Sequence, residues 1–391
     1  MRPSLDPFDE AKARAVGWLT AWDSQGVHRT GTSGDEAGAR WLADEAASLG
    51  VEVASEVFTL DRLDPVACYL ELDGDRISGV PVFDAPATGA DGVTGTLTLS
   101  GQGDGILVAK LSPRSVYTGE YEKLRGSAAH RALVIVCAGE RPGTGLLNAE
   151  RFRNPYGPPA IHVSSEASEA VLSSAAAAKR ARVVSESRSV PASARNVVVS
   201  IRGSRRSSAE VVVMTPRSSW WQSTAERGGG LVCWLETLRA LVAAPPACDV
   251  IFTANSGHEL SHLGLDDFTA RRPGWERPIS DGGATWVHFG ANIGATDGML
   301  SLQSASADLR QLIETELAHA GQALGVVAPK TLVPTGETRD VHRAGGRYVT
   351  LVGSNPLFHL PDDRWPRAAD ADDHFRSASR VCRWLLSRSR L

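Results

Sequence analysis

Two short apolar runs, Val211–Met214 and Val250–Phe252, each end in a polar loop, and one amphipathic helical stretch lies between them. A strand, loop, helix, strand and second loop in that order confine residues 211–264 to an open α/β sheet covered on both faces. The first run stops at Thr215-Pro216, because proline brings no N–H to a central ladder. After Gly228-Gly229-Gly230, the residues Leu231, Trp234, Leu235, Leu238 and Leu241 recur at three- and four-residue steps, which predicts a helix with one buried stripe that Pro245-Pro246 ends. The second run leaves through Asn255-Ser256-Gly257 into His258-Glu259. Loops leaving the same edge of such a sheet are where α/β enzymes keep their chemistry.

The order resembles the catalytic core of the M28 family of zinc aminopeptidases, over most of the chain outside residues 62–190. In that family the strand is followed by His-x-Asp, an Asp-Asp turn opening a glycine-led helix, a strand ending in Glu-Glu, an Asp-Met-Ile-Gly segment and a late histidine loop. Matching Gly230 to the helix glycine puts Glu226 on the bridging aspartate, and puts Pro216 and Ser218 on His-x-Asp. His258-Glu259 falls on Glu-Glu, with His258 in place of the general base, and Ala291-Asn292-Ile293-Gly294 falls on Asp-Met-Ile-Gly. Phe358-His359-Leu360-Pro361-Asp362-Asp363 matches the late loop, with His359 as its ligand.

The resemblance therefore implies losses with a pattern. Pro216 and Ala291 offer no side-chain lone pair to one zinc, whereas Glu226, Glu259 and His359 stand where the other is held. Two carboxylates and an imidazole, with a fourth position for water or substrate, make a catalytic zinc set. Glutaminyl cyclases of the same superfamily work with a single zinc. The expectation is one zinc per chain, in a hydrolase or acyl-transfer enzyme acting on a small peptide or amide. His258 would move protons, and Arg217 and Arg227, at the two ends of the loop, would supply the missing positive charge. The alternative is a metal-free descendant, a pseudoenzyme that binds a ligand or protein partner. A different zinc reading stays open, because His258-Glu259-Leu260-Ser261-His262 is an H-E-x-x-H string that binds zinc when both histidines share one helical face. A helix capped by Ser256 would supply that face.

The rest of the chain sets the surroundings. With 41 Lys and Arg against 45 Asp and Glu, it has no general field for nucleic acid, and the basic stretch Lys179–Arg206 reads as a solvated junction. No apolar run reaches membrane-spanning length. The five scattered cysteines and an N-terminus without an apolar leader give a cytoplasmic expectation. Helices are predicted over 8–24, 34–49, 308–324 and 371–386, and strands over 51–60, 196–199 and 347–352. Short strands at 67–72, 95–99, 105–111, 132–137 and 159–163 form an insert, residues 62–190, which resembles a protease-associated (PA) domain. Residues 1–61 and 191–391 form the catalytic domain, a mixed sheet sandwiched by helices. The polar segment Thr335–Arg343 lies above the site in the alignment, where Arg339, His342 and Arg343 would meet an anionic group. Trp220 would line the pocket or cover the sheet.

Overall fold

The two buried runs become neighbouring parallel strands, and their helix covers one face of the sheet. The structure is a computed structural model that describes residues 7–100, 104–126, 129–139, 141–204, 210–319, 324–327 and 332–372. In chain order come α1 (Pro7–Ser24), α2 (Ser33–Ala47), β1 (Val53–Leu72), β2 (Asp75–Pro81), β3 (Val93–Thr98), β4 (Ile106–Leu111), α3 (Gly119–Gly126), β5 (Ala132–Cys137), β6 (Ala160–Val163), α4 (Ser168–Ala176) and β7 (Arg180–Ile201). These are followed by β8 (Val211–Pro216), α5 (Gly229–Ala243), β9 (Val250–Asn255), α6 (Leu263–Ala270), β10 (Thr285–Phe289), β11 (Leu300–Gln303), α7 (Ala307–His319), β12 (Val326–Val327), α8 (Thr338–Arg343) and β13 (Arg347–Gly353). Residues 373–386 of the last predicted helix lie outside the described residues.

The strands β9, β8, β10 and β13 are adjacent and parallel, flanked by antiparallel β7 on one side and β11 on the other. On one face Trp22, Leu42, Trp234 and Leu238 pack with Phe252 and Val287; on the other, Phe268 and Val341 pack with Met214, Trp286 and Tyr348. Each fully buried Leu or Phe contributes on the order of 2–3 kcal/mol. The sheet is thus mixed, with helices on both sides. No helix among the described residues is long and apolar enough to cross a membrane.

Two predicted breaks are absent. The strands read at 51–60 and 67–72 are one strand, β1, and 196–199 belongs to the long β7; the two pair from Val53↔Val199 to Leu72↔Ala181. Pro65 does not end the strand: the irregularity at Pro65/Ala67 absorbs the proline as a bulge and the ladder continues. Beyond the bulge, β1, β2, β6, β5, β4, β3 and β7 pair in sequence and β7 returns to β1, so the strands of the insert close on themselves. Leu70, Ile106, Val134 and Val183 form the core of this insert with Val171 of α4.

Candidate functional site

The sheet brings the ends of β8, β9 and β10 to one edge, and the loops that follow hold a buried polar cluster. Ser256 to His262 shows how the sequence shapes it. Gly257 is left-handed (φ 83°), His258–Leu260 makes a single 3₁₀ turn, Ser261 and His262 are left-handed again (φ 63° and 58°), and α6 starts only at Leu263. The H-E-x-x-H string is therefore no helix, which corrects that reading. The tight turns nevertheless stack the two imidazoles with centroids 5.2 Å apart.

Gly264 makes this path possible. Its N–H donates to the Ser256 carbonyl at 3.0 Å, and its own carbonyl accepts from Asn196 Nδ2 at 2.8 Å. A Cβ there would lie 2.2 Å from Ser256 O and 2.4 Å from Asn196 Oδ1. Gly264→Ala is expected to lower stability by about 2–3 kcal/mol, as overpacking against fixed backbone does. Urea unfolding will read this, and an unchanged midpoint would refute the account.

The carboxylate of Glu259 turns away from the neighbouring histidines. Its Oε1 accepts from the N–H and hydroxyl of Thr30, both at 2.7 Å, and its Oε2 accepts from Ser218 Oγ at 2.6 Å. Burial raises its pKa against those donors. Glu226 and His359 do meet: Glu226 Oε1 is 3.1 Å from His359 Nε2, while His359 Nδ1 lies 2.6 Å from the Leu146 carbonyl of the insert. A carbonyl only accepts, so Nδ1 carries the proton and Nε2 faces Glu226. The same Glu226 oxygen lies 2.7 Å from Arg227 Nη2, and Arg227 Nε donates to the Ser218 carbonyl at 2.7 Å. Burial alone would raise the Glu226 carboxyl; Arg227 and His359 overcome it and hold it at about 2. Behind this group, Asp363 accepts the N–H groups of Ala225 and Glu226 at 2.7 and 3.0 Å, and burial pushes it up to about 7.

A second group lies beside the first. His258 Nδ1 is 2.7 Å from Glu337 Oε1, His288 Nε2 is 3.2 Å from Glu337 Oε2, and His262 Nδ1 is 2.9 Å from Asp340 Oδ2. Among the described residues, the set offering three ligand atoms within 4.8 Å of one another is His258, His262 and Glu337, all buried. Burial works to raise Glu337, but His258 holds its carboxyl well below the usual range. Burial and then Arg227 pull His258 down to about 4, whereas Asp340 and Glu337 raise His262 against its burial. A cavity of about 110 Å³ opens on this group, walled by His258, His288, Ala291, Glu337, Phe358 and Arg114. It adjoins a cleft of about 650 Å³ between insert and core, which shares Arg114 and Phe358.

The zinc set expected from the sequence fits poorly. Glu226 and His359 meet, but Glu259 is satisfied by three donors, and a guanidinium stands on the Glu226 oxygen that a cation would use. The set His258, His262 and Glu337 fits better. His262 has the Asp340 carboxylate on Nδ1, the arrangement that orients a histidine ligand and leaves Nε2 with its lone pair, while His258 presents Nδ1 to Glu337 itself.

Other expected residues sit elsewhere. Arg217 is not at the site: its guanidinium pairs with Asp35 of α2 at 2.8 Å and donates to the Arg195 carbonyl at 2.7 Å, all within the core. Trp220 is buried between insert and core, stacked on Phe83 at 4.7 Å and donating to Asn148 Oδ1 at 3.1 Å; it packs rather than lines a pocket. Arg339 pairs with Glu150 of the insert at 2.7 Å, and His342 Nδ1 lies 3.0 Å from the Tyr348 hydroxyl. Arg343 is exposed and borders, with Arg339, a separate cleft of about 850 Å³. His28 is buried and stacked on Trp22 with ring centroids 3.6 Å apart.

Glu337, His288, Thr30 and the partnership of Ser218 with Glu259 were not foreseen. Two signals existed: His288 interrupts a largely apolar strand, β10, and Glu337 is, with Asp340, one of two acidic residues of a polar segment already suspected of lying above the site.

No protein-family model matches the chain, and no curated protein matches it. Solved structures do. A zinc aminopeptidase from Bacillus subtilis matches at a TM-score of 0.75 with 16% identity, over 95% of this chain and 93% of that one. A peptidase M28 precursor from Shewanella amazonensis gives 0.74 and 14%, over 98% and 96%. Glutaminyl cyclase from Bacteroides thetaiotaomicron gives 0.50 and 9%, over 96% and 97%.

Proposed function

From the M28 zinc-aminopeptidase fold that this chain adopts, we propose a hydrolase or acyl-transfer enzyme that uses one zinc ion on small amide or peptide-like substrates. The observation that carries the reading is the convergence of His258, His262 and Glu337, with ligand atoms within 4.8 Å of one another, beside a cavity that His258 and Glu337 line. Those three residues would hold the metal, in place of the set Glu226, Glu259 and His359. Two imidazoles and a carboxylate form a catalytic zinc set that leaves one position open. When bound there, zinc would supply Lewis-acid chemistry, polarising a carbonyl oxygen or lowering the pKa of a bound water.

The residues of the chain do the rest. Asp340 keeps the proton of His262 on Nδ1 and so fixes its tautomer. His288, against Glu337 and on the cavity wall, is the group placed to hold or pass a proton once His258 serves as a ligand. Arg114, stacked over Phe358 at 5.4 Å, stands where the cavity joins the larger cleft and would face incoming substrate. The insert reads as a PA-like cover, since Leu146 binds His359 and the Ala149 N–H donates to the Glu259 carbonyl at 2.8 Å.

The ion pair of Arg227 with Glu226 favours a second reading, a metal-free protein that only binds its ligand. Metal analysis of protein purified without chelator separates the two. About one zinc per chain is expected, lost in His262→Ala and Glu337→Gln but kept in Glu226→Gln and His359→Ala. Hydrolysis of aminoacyl anilides should follow the zinc. Wild-type protein without metal would overturn the enzyme reading, and zinc that depends on Glu226 and His359 would overturn the ligand set.

A further inference from the structure

We infer that Arg227 is the resident cation of the position that a zinc ion occupies in this fold, and that this position becomes a metal site when the guanidinium is removed. The inference concerns Glu226 and His359. It stands apart from whether His258, His262 and Glu337 carry zinc.

Four observations support it. Glu226, Arg227 and His359 are all buried, at 0%, 1% and 1% exposure, so their charges must be balanced inside the protein. Arg227 Nη2 reaches Glu226 Oε1 at 2.7 Å, and Arg227 Nε is pinned to the Ser218 carbonyl, so the guanidinium is held in place. Glu226 Oε1 contacts Arg227 Nη2 at 2.7 Å and His359 Nε2 at 3.1 Å, but these contacts miss hydrogen-bond angles, so the Glu226 oxygens, His359 Nε2 and the terminal nitrogens of Arg227 meet by charge rather than by well-formed hydrogen bonds. The remaining carboxylate, Glu259, has both oxygens taken up by donors from Thr30 and Ser218. One guanidinium against one carboxylate leaves the position near neutrality, and a divalent ion added beside Arg227 would meet its positive charge at close range. Pro216 and Ala291 supply no donor that would offset that repulsion.

Removing the guanidinium reverses the balance. Arg227→Ala leaves a buried carboxylate facing an imidazole nitrogen, with space beside them that the side chain had filled. Arg227→Gln removes the charge while keeping a donor for the Ser218 carbonyl, so it serves where the alanine variant folds poorly. Arg227→Lys keeps a cation.

The test counts zinc by equilibrium dialysis against a colorimetric chelator for wild type and the three variants, with near-ultraviolet circular dichroism confirming the fold. Arg227→Ala or Arg227→Gln is expected to bind about one zinc more than wild type, and to lose it again when His359→Ala is added. Added zinc should raise the Tm of these variants by several degrees more than that of wild type. Arg227→Lys should gain nothing. Folded charge-removed variants that bind no more zinc than wild type would overturn the inference, as would wild-type zinc abolished by His359→Ala alone. Because the increment is measured from wild type, it survives if the His258 set proves empty. Loss of wild-type zinc in His262→Ala leaves it equally untouched.

Discussion

Arg217→Ala is expected to cost about 3–5 kcal/mol of folding stability, the penalty for leaving one member of a buried ion pair uncompensated. Arg217 and Asp35 are both buried, and Asp35 keeps only Ser256 Oγ at 2.9 Å and the Gly31 N–H at 2.8 Å once the guanidinium is gone. Burial already raises the Asp35 carboxyl, with Arg217 as the largest opposing influence. The variant should therefore take up a proton on folding and become less stable as pH rises. Arg217 also ties α2 to β7 through the Arg195 carbonyl, so its loss loosens the frame beneath the loops. Urea unfolding at pH 6 and pH 8 measures both effects. A folded Arg217→Ala protein of wild-type stability but without activity would return Arg217 to the catalytic machinery and refute its role as a strut.

Acidification should weaken the protein well above the range where carboxylates titrate. Burial pulls both His28 and His162 from an ordinary 6.5 down to about 3. Their surroundings explain why: His28 is stacked on Trp22 with Nδ1 at 3.1 Å from the Gln222 carbonyl, and His162 Nε2 accepts the Leu147 N–H at 3.2 Å. Protonating that Nε2 breaks its hydrogen bond. Each folded-state pKa lies below the unfolded one, so the unfolded chain binds more protons under pH 6.5. The stability is complete above that value and is lost progressively as pH falls toward about 3. At pH 5 each histidine costs about 2 kcal/mol, and the pair about 4 kcal/mol, a large share of a typical total of about 5–15 kcal/mol. His258, lowered to about 4, acts in the same sense, while the raised His262 and Asp363, pushed up to about 7, oppose it. Denaturant unfolding at pH 7.5 and 5.0 of wild type, His28→Gln and His162→Gln checks the result, and variants that lose as much stability on acidification as wild type would reject it.

The frame of this protein was legible because its signals are periodic. Continuous apolar runs marked β8 and β9, a three-and-four spacing marked α5, and the order of loops placed them at one edge. Pairings between side chains were not legible in the same way. Arg217 and Arg227 end the same loop, and nothing local tells which one enters the site. The outcome depends on Asp35, supplied by a distant helix, and on the π-helical turn Thr224–Gly228, which turns Arg227 inward. Glu259 could be placed at its position but not its partners, since Thr30 lies more than two hundred residues away in the chain. The second histidine of the H-E-x-x-H string entered the sequence reading as a ligand only in a helical geometry, whereas left-handed residues at Ser261 and His262 bring the rings together.

The ribbon formed by β1 and β7 has a mechanical consequence. Because the same two strands run unbroken from the core sheet into the insert, the insert is cantilevered on a stiff beam and has no hinge at its root. Swinging it aside would shear a long ladder of backbone hydrogen bonds, whereas the segments near Arg141 and Pro356, which line the larger cleft, lie outside that ladder. Traffic to the buried histidines therefore depends on those rim segments, and insertions or deletions there should alter admission without disturbing the beam.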